Sequence, residues 1–282
     1  MTPDAAVAEL RVHHGIDLHL EGRCPGGEVG AYYARAEDGS RYVLKWIEGA
    51  TALVDFVAMA ERLTRLRARG YLLPQYWAPF GVSGGVVILQ EAAAGAWHDR
   101  VTHELVDTVL HLNDLQSGQG GDGHDWSEYV RSTLIEGADG YCLHDTLRHH
   151  DSSSRRVLDW VEGVGRSLGP LPDGDVVHLD FHHRNILRQA DRVVAVVDWE
   201  GSRSGDRVFD LVTFCFGFTH ASADAGAETR VWERATALGD DGSLTAYVAH
   251  MSLRRLDWSI RHHAGEVARL QEFVLRYIGL VA

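Results

Sequence analysis

Hydrophobic positions run along the chain in two rhythms. After a short helical stretch over residues 3–13 come three strand-like runs, Asp17–Glu21, Glu28–Ala36 and Arg41–Ile47. Gly22-Arg23-Cys24-Pro25-Gly26-Gly27 and Glu37-Asp38-Gly39-Ser40 separate them, and turn-forming punctuation of that kind predicts an antiparallel meander. Residues 50–69 then repeat apolar side chains at helical spacing through Leu53, Phe56, Val57, Ala60 and Leu63, ending in crowded arginines before Gly70. That is a helix with its stop signal. Two further strand candidates, Gln75–Val82 and Val86–Glu91, flank Ser83-Gly84-Gly85. Five strands with this helix predict a small α+β lobe over residues 1–91.

From Ala92 the rhythm changes. Ala92-Ala93-Ala94-Gly95-Ala96 is small and suits a hinge, placed at residues 92–97. Helical periodicity then dominates residues 98–282, over 102–116, 126–136, 153–168, 207–219, 223–238, 243–262 and 264–280. A glycine-rich loop, Ser117–Asp125, interrupts the helices, and a β-rich stretch, Val176–Trp199, lies among them. The expected class is α+β and two-lobed, with a small five-stranded antiparallel N-lobe and a larger, mainly helical C-lobe.

Composition narrows this outline without changing it. With 282 residues, 45% apolar and 24% charged, the chain is globular rather than disordered or fibrous. Its notable apolar run, Leu211–Phe218, is too short to span a bilayer. The start, Met1-Thr2-Pro3-Asp4, has no basic patch leading an apolar stretch. Cys24, Cys142 and Cys215 are odd in number and widely spaced, forming neither a disulfide framework nor a zinc knuckle. A reduced, cytoplasmic protein is expected, as a monomer or weak homodimer.

Charge is more telling. The net charge of −13 divides unevenly: residues 1–97 carry 9 basic and 11 acidic side chains, residues 98–282 carry 18 and 29. Such a field repels nucleic acid and acidic membranes and attracts a cation. Among the 27 basic residues there is a single lysine, Lys45. Where arginine has replaced lysine throughout, a lone survivor marks a site at which a planar guanidinium cannot stand in for a compact ammonium.

The richest stretch is Val176-Val177-His178-Leu179-Asp180-Phe181-His182-His183-Arg184-Asn185-Ile186-Leu187. Apolar runs bracket a polar loop, so one strand delivers the loop and another leaves it. The next apolar run, Val193–Val197, ends in Asp198-Trp199-Glu200. Asp180, Asn185 and Asp198 together can take a hydroxyl proton and hold Mg²⁺ on a nucleotide.

His-x-Asp with Asn five residues on, followed by Asp-x-Glu, resembles the signature of the aminoglycoside phosphotransferase/choline-kinase-like family, a small-molecule branch of the protein-kinase fold. The resemblance implies Mg·ATP, with GTP an open alternative, and a set of roles. Asp180 steers or accepts the hydroxyl proton, and His182 takes a phosphate-contacting position. Asn185 and Asp198 hold metal. Lys45 meets the α- and β-phosphates, oriented by Glu61, which its i+4 spacing from Val57 places toward the sheet. Gln90, Glu91 and Ala92 resemble the hinge strand that meets adenine, and Gly205-Asp206 with Asp210-Leu211 resembles the segment that braces the catalytic loop. Leu179 departs from the pattern, which usually has glycine there. Gly22–Gly30 is only loosely like a phosphate loop.

The acceptor is expected on the helical lobe, near Asp122, Asp125, Asp224 and Glu228. The excess of carboxylates there points to a cationic small molecule: an aminoglycoside, or a basic cyclic peptide of the tuberactinomycin type such as viomycin or capreomycin, inactivated as in antibiotic resistance. A metabolite kinase for choline, an amino alcohol or a sugar amine is the alternative. A more distant one, a non-haem iron oxygenase using His178 and Asp180, leaves Lys45, Asn185 and Asp198 without roles.

Overall fold

The turn residues near the N-terminus do what their chemistry requires. A computed structural model describes residues 2–25, 30–49, 52–121 and 123–281. Helix α1 (Pro3–His14) starts on Thr2, whose hydroxyl accepts the Ala5 N–H at 3.3 Å. Strands β1 (His19–Arg23), β2 (Ala31–Arg35) and β3 (Arg41–Glu48) follow, then helix α2 (Ala52–Ala68) and strands β4 (Phe80–Val82) and β5 (Gly85–Glu91). All pairings are antiparallel in the order β1-β2-β3-β5-β4. Ala6 and Leu10 of α1 pack on Leu18, Ala34, Leu44, Val87 and Leu89 in one buried cluster.

Helix α2 buries a face shifted from the expected one. Its buried stripe is Phe56, Met59, Leu63 and Leu66, whereas Leu53 and Val57 are exposed. Glu61 follows those two and is exposed. Phe56 and Leu63 of the expected stripe are thus buried, while Met59 and Leu66 replace Leu53 and Val57 on the packed face.

The chain continues through β6 (Arg100–Val101), α3 (His103–Leu115), α4 (Trp126–Glu136), α5 (His144–His150), α6 (Ser152–Ser167), β7 (Asp175–Val177), β8 (Ile186–Gln189), β9 (Arg192–Val196), β10 (Arg203–Gly205), α7 (Val208–Gly217), β11 (Ser222–Ala223), α8 (Ala227–Leu238), α9 (Asp241–His262) and α10 (Val267–Val281). Its residues fall into two compact units, one from 1–97 and 185–200, the other from 98–184 and 201–282. The hairpin β8–β9 thus belongs with the first unit, although it follows the helices α3–α6 in sequence. No described helix is long and apolar enough to cross a membrane, and the three cysteines are free thiols.

The second unit is built around a buried polar thread. Trp126, fully buried, donates from Nε1 to the Tyr247 hydroxyl at 3.0 Å. Tyr247 donates in turn to Asp206 at 2.8 Å, and Asp206 accepts the Val208 N–H at 2.9 Å at the start of α7. Gly205 is required here, because a Cβ would lie 2.6 Å from the Trp126 ring.

One turn of α9 beyond Tyr247 sits His250, with no solvent exposure and, among the described residues, no hydrogen-bond partner for either ring nitrogen. It packs edge-on against Phe209 at 4.9 Å. Burial, with Arg254 and Arg203 nearby, pulls its pKa down to about 3. The fold therefore keeps His250 neutral while the unfolded chain takes up a proton below its ordinary value of 6.5, so this residue removes stability as pH falls from there toward 3. Asp206 and Asp210, pushed up by burial to about 6 and about 7, act in the opposite direction. Comparison with a His250→Leu variant isolates the histidine. Between pH 7.5 and 5 the wild type should lose about 2 kcal/mol more stability than the variant. Urea unfolding at the two pH values measures this, and equal losses would contradict it.

Candidate active site

In the first unit, Lys45 lies on β3 opposite Ile88 of β5. Its Nζ donates to Asp198 Oδ1 at 2.5 Å and to Glu200 Oε2 at 2.8 Å. The side chains of Lys45 and Glu200 are only 13% and 14% exposed, that of Asp198 48%. Burial works against the ammonium, but Glu200 and then Asp198 outweigh it, so its pKa is raised above the ordinary lysine value. The expected Lys45–Glu61 pair is corrected by this geometry. Glu61 stands on the exposed face of α2, and Lys45 is held by the two carboxylates that follow β9.

Asn185 and Asp198 occupy the same end of the β8–β9 hairpin. Asn185 precedes β8 and accepts the Val197 N–H on its carbonyl at 2.9 Å, while Asp198 is the next residue, in the left-handed region at φ +73°. One carboxylate and one amide make an oxygen-only donor set, the chemistry a hard cation such as Mg²⁺ takes. The residues fit the ion.

On β5, Gln90 is buried and pairs with Val43. The Glu91 N–H donates to the Gln75 carbonyl at 2.8 Å and the Ala92 N–H to that of Arg41 at 3.0 Å. Both are committed within the unit. A base edge meeting this segment must therefore use carbonyl oxygens, or N–H groups beyond Ala92. Of the loose glycine loop, residues 26–29 lie outside the described residues.

In the second unit, β7 delivers the loop bearing Asp180. The buried Asp210 carboxylate of α7 accepts the N–H groups of His178 and Leu179 at 2.7 and 3.1 Å and the Gln116 side-chain amide at 2.6 Å. This is the expected brace. Leu179, where the family pattern has glycine, stands at φ +71°, a conformation that favours glycine. Asp180 Oδ1 accepts from Arg254 of α9 at 2.8 Å, and its Oδ2 lies 3.3 Å from His182 Nε2. Burial pushes the Asp180 carboxyl up, but Arg254 and His182 dominate and hold it well below the usual carboxylate range. His182 Nδ1 accepts the Arg184 N–H at 3.2 Å, which assigns the ring proton to Nε2, the nitrogen facing Asp180. His178 is fully buried, its Nδ1 accepting the Asp180 N–H at 3.2 Å. No group of three His, Cys, Asp or Glu side chains able to hold a metal forms among the described residues.

The acceptor carboxylates do other work. Asp125 caps α4 by accepting the Glu128 N–H at 2.9 Å. Asp224 accepts from Arg100 at 2.8 Å and from the His103 N–H at 3.2 Å. Glu228 pairs with Arg276 at 2.6 Å and accepts from the Tyr277 hydroxyl at 2.7 Å. Asp122 lies outside the described residues. The sequence reading missed Glu200, although its place two residues after Asp198 at a strand end was a usable signal. It also missed Arg254, which lies 74 residues beyond Asp180 with no local motif.

Residues 23–238 match the phosphotransferase enzyme family. No protein of curated function matches the chain. Solved structures share the fold. An aminoglycoside phosphotransferase APH(4)-Ia in ternary complex with ADP and hygromycin B is 16% identical, with a TM-score of 0.65, covering 97% of this chain and 98% of that one. The amicoumacin kinase hAmiN, in complex with AMP-PNP, Ca²⁺ and Ami, is 13% identical with a TM-score of 0.60 over 97% and 89%. An aminoglycoside-3'-phosphotransferase of type VIII is 20% identical with a TM-score of 0.57 over 89% and 97%. These similarities are to a protein-kinase-like α+β fold.

The Lys45 arrangement sets a stability test. Lys45→Met leaves Glu200 shielded from water beside Asp198 with no cation, and removing one partner of a largely buried pair should cost about 3 kcal/mol. Adding Glu200→Gln should recover most of that loss. Chemical denaturation of both variants measures it; a single variant as stable as wild type would contradict the assignment.

Proposed function

Because this chain belongs to the phosphotransferase enzyme family, we propose that it transfers the γ-phosphoryl group of ATP to a hydroxyl of a cationic antibiotic, inactivating it. The chain is a small-molecule kinase with a hydroxyl acceptor. One observation carries the choice of a cationic antibiotic. Residues 98–282 hold 29 acidic and 18 basic side chains, against 11 and 9 in residues 1–97. A field of that sign raises the local concentration of a polycation and speeds its encounter. Since Asp125, Asp224 and Glu228 are engaged in capping and pairing, the attraction is assigned to the field rather than to these residues. Support also comes from the solved relatives, one bound to hygromycin B and another an amicoumacin kinase.

The residues divide the chemistry. Lys45, held by Asp198 and Glu200, offers a compact ammonium to phosphate oxygens, and Gln90–Ala92 supply the base-facing edge. Asn185 and Asp198 would hold Mg²⁺, which when bound neutralises phosphate charge. Asp180 orients the acceptor hydroxyl while His182, with its Nε2 proton, stands beside it. The acceptor oxygen bonds to the γ-phosphorus as the bond to the β–γ bridging oxygen breaks. ADP leaves, and the hydroxyl proton passes by way of Asp180 to water. A carboxylate held this far toward its ionised form contributes mainly by position, as a loose transition state requires.

Incubation with Mg·ATP and a panel of aminoglycosides, viomycin, capreomycin, choline and amino alcohols tests the reading. The expected result is a mass gain of one phosphoryl group on a polycationic antibiotic. Its KM should rise steeply with salt, because screening shortens the reach of exposed charges to ~10 Å at 0.1 M. A best substrate that is neutral or singly charged, with a salt-independent KM, would make this a metabolite kinase instead.

A further inference from the structure

The left-handed turn at Leu179 is a conflict the local sequence does not resolve. Glycine adopts φ near +71° freely, whereas a leucine side chain crowds its own backbone there. This leucine is also buried, at 7% exposure, so its side chain cannot escape by swinging into water. The turn persists because its peptide groups are gripped from two helices. On one side, Asp210 of α7 takes the Leu179 N–H at 3.1 Å. On the other, Arg254 Nη1 of α9 donates to the Leu179 carbonyl at 2.6 Å.

The second arm of that guanidinium does something a backbone clamp alone would not. Nη2 donates to Asp180 Oδ1 at 2.8 Å. One planar fork therefore spans the carbonyl of the strained residue and the carboxylate of the next one, fixing both the peptide between them and the Asp180 side chain. Arg254 lies in the middle of the 22-residue helix α9, a rigid support. Its neighbour Arg255 donates to Thr219 Oγ1 at 3.2 Å.

We propose that Arg254 is a positioning residue for phosphoryl transfer, holding the Asp180 carboxylate and the left-handed Leu179 turn in their working geometry. The proposal rests on the reading of Asp180 as the residue that meets the acceptor hydroxyl. The fork takes over the conformational role that a glycine at position 179 would fill by itself, and it adds a charge that keeps Asp180 ionised. Among the described residues, the charged and titratable groups around Asp180 include Arg254 and Arg255 from α9, His178 and His182 from its own loop, and Asp210 from α7. Arg254 is the one that both touches the carboxylate and holds the backbone.

The test uses Arg254→Met and Arg254→Lys in the full chain, each alone and combined with Leu179→Gly. For Arg254→Met, kcat should fall at least ~10-fold with the nucleotide KM little changed. Because burial pushes the Asp180 carboxyl up once the opposite charge has left, kcat/KM for the acceptor should gain an acid limb that the wild type does not show. Arg254→Lys restores the charge without the fork, so it should remove that acid limb again without restoring kcat. Leu179→Gly in the Arg254→Met background should recover part of kcat, because glycine needs no clamp. Amide hydrogen exchange over residues 178–182, read without any acceptor, should speed up at least ~10-fold in Arg254→Met. Unchanged exchange in both Arg254 variants, or an unchanged kcat without a new acid limb in Arg254→Met, would overturn the proposal. Faster exchange in a protein that phosphorylates no hydroxyl would support the clamp and refute the phosphotransfer reading, so the two failures are separable.

Discussion

A single buried carboxylate organises the second unit. Asp210 has no exposed surface and receives three N–H donors, from the backbone of His178 and Leu179 and from the side chain of Gln116. Burying a carboxylate is costly unless such donors surround it, and here the donors come from Gln116, which ends α3, and from the loop that carries Asp180. The same bonds that satisfy Asp210 fix the course of that loop. Burial still pushes its pKa up to about 7 against all three donors, a measure of how far from water this brace lies. Arg254 completes the arrangement from the opposite side, gripping the carbonyl of Leu179, whose left-handed conformation favours glycine.

The first unit solves a different electrostatic problem. Two carboxylates two residues apart, Asp198 and Glu200, converge on one ammonium. With Glu200 largely shielded from water, the pair would repel without Lys45, and Lys45 would be strongly destabilised without the pair. This explains the lone lysine in physical terms. A guanidinium is broader and presents its donors in a fixed fork, whereas a compact ammonium can sit 2.5 and 2.8 Å from oxygens of two separate side chains. Asn185 stands at the same hairpin end, where its backbone carbonyl accepts the Val197 N–H at 2.9 Å.

Much of this was legible in the sequence because it is local. The five-stranded sheet follows from glycine- and aspartate-rich turns between short apolar runs, and α4 was placed to the residue. Asp180, Asn185 and Asp198 stand out because a polar loop between apolar strands is conspicuous. The misreadings are tertiary. Which face of α2 is buried depends on the partner it meets, and Phe56, Met59, Leu63 and Leu66 prevail over the equally apolar Leu53 and Val57; Glu61 followed the wrong face. Helix α5, only seven residues long, carried too little periodicity to be seen. The carboxylates Asp125, Asp224 and Glu228 illustrate the same limit, for charge can be counted along a chain but its pairing cannot. Glu228 finds Arg276 forty-eight residues away.

In the proposed reaction Asp180 meets the acceptor hydroxyl while other residues hold the nucleotide. The most direct measurement compares wild type with Asp180→Asn, which keeps the shape of the side chain and removes its charge, in two assays: γ-phosphoryl transfer to the best acceptor and equilibrium binding of ATP. The account predicts that turnover falls by ~10²–10⁴-fold while nucleotide Kd stays nearly constant. Turnover within a few-fold of wild type would contradict it.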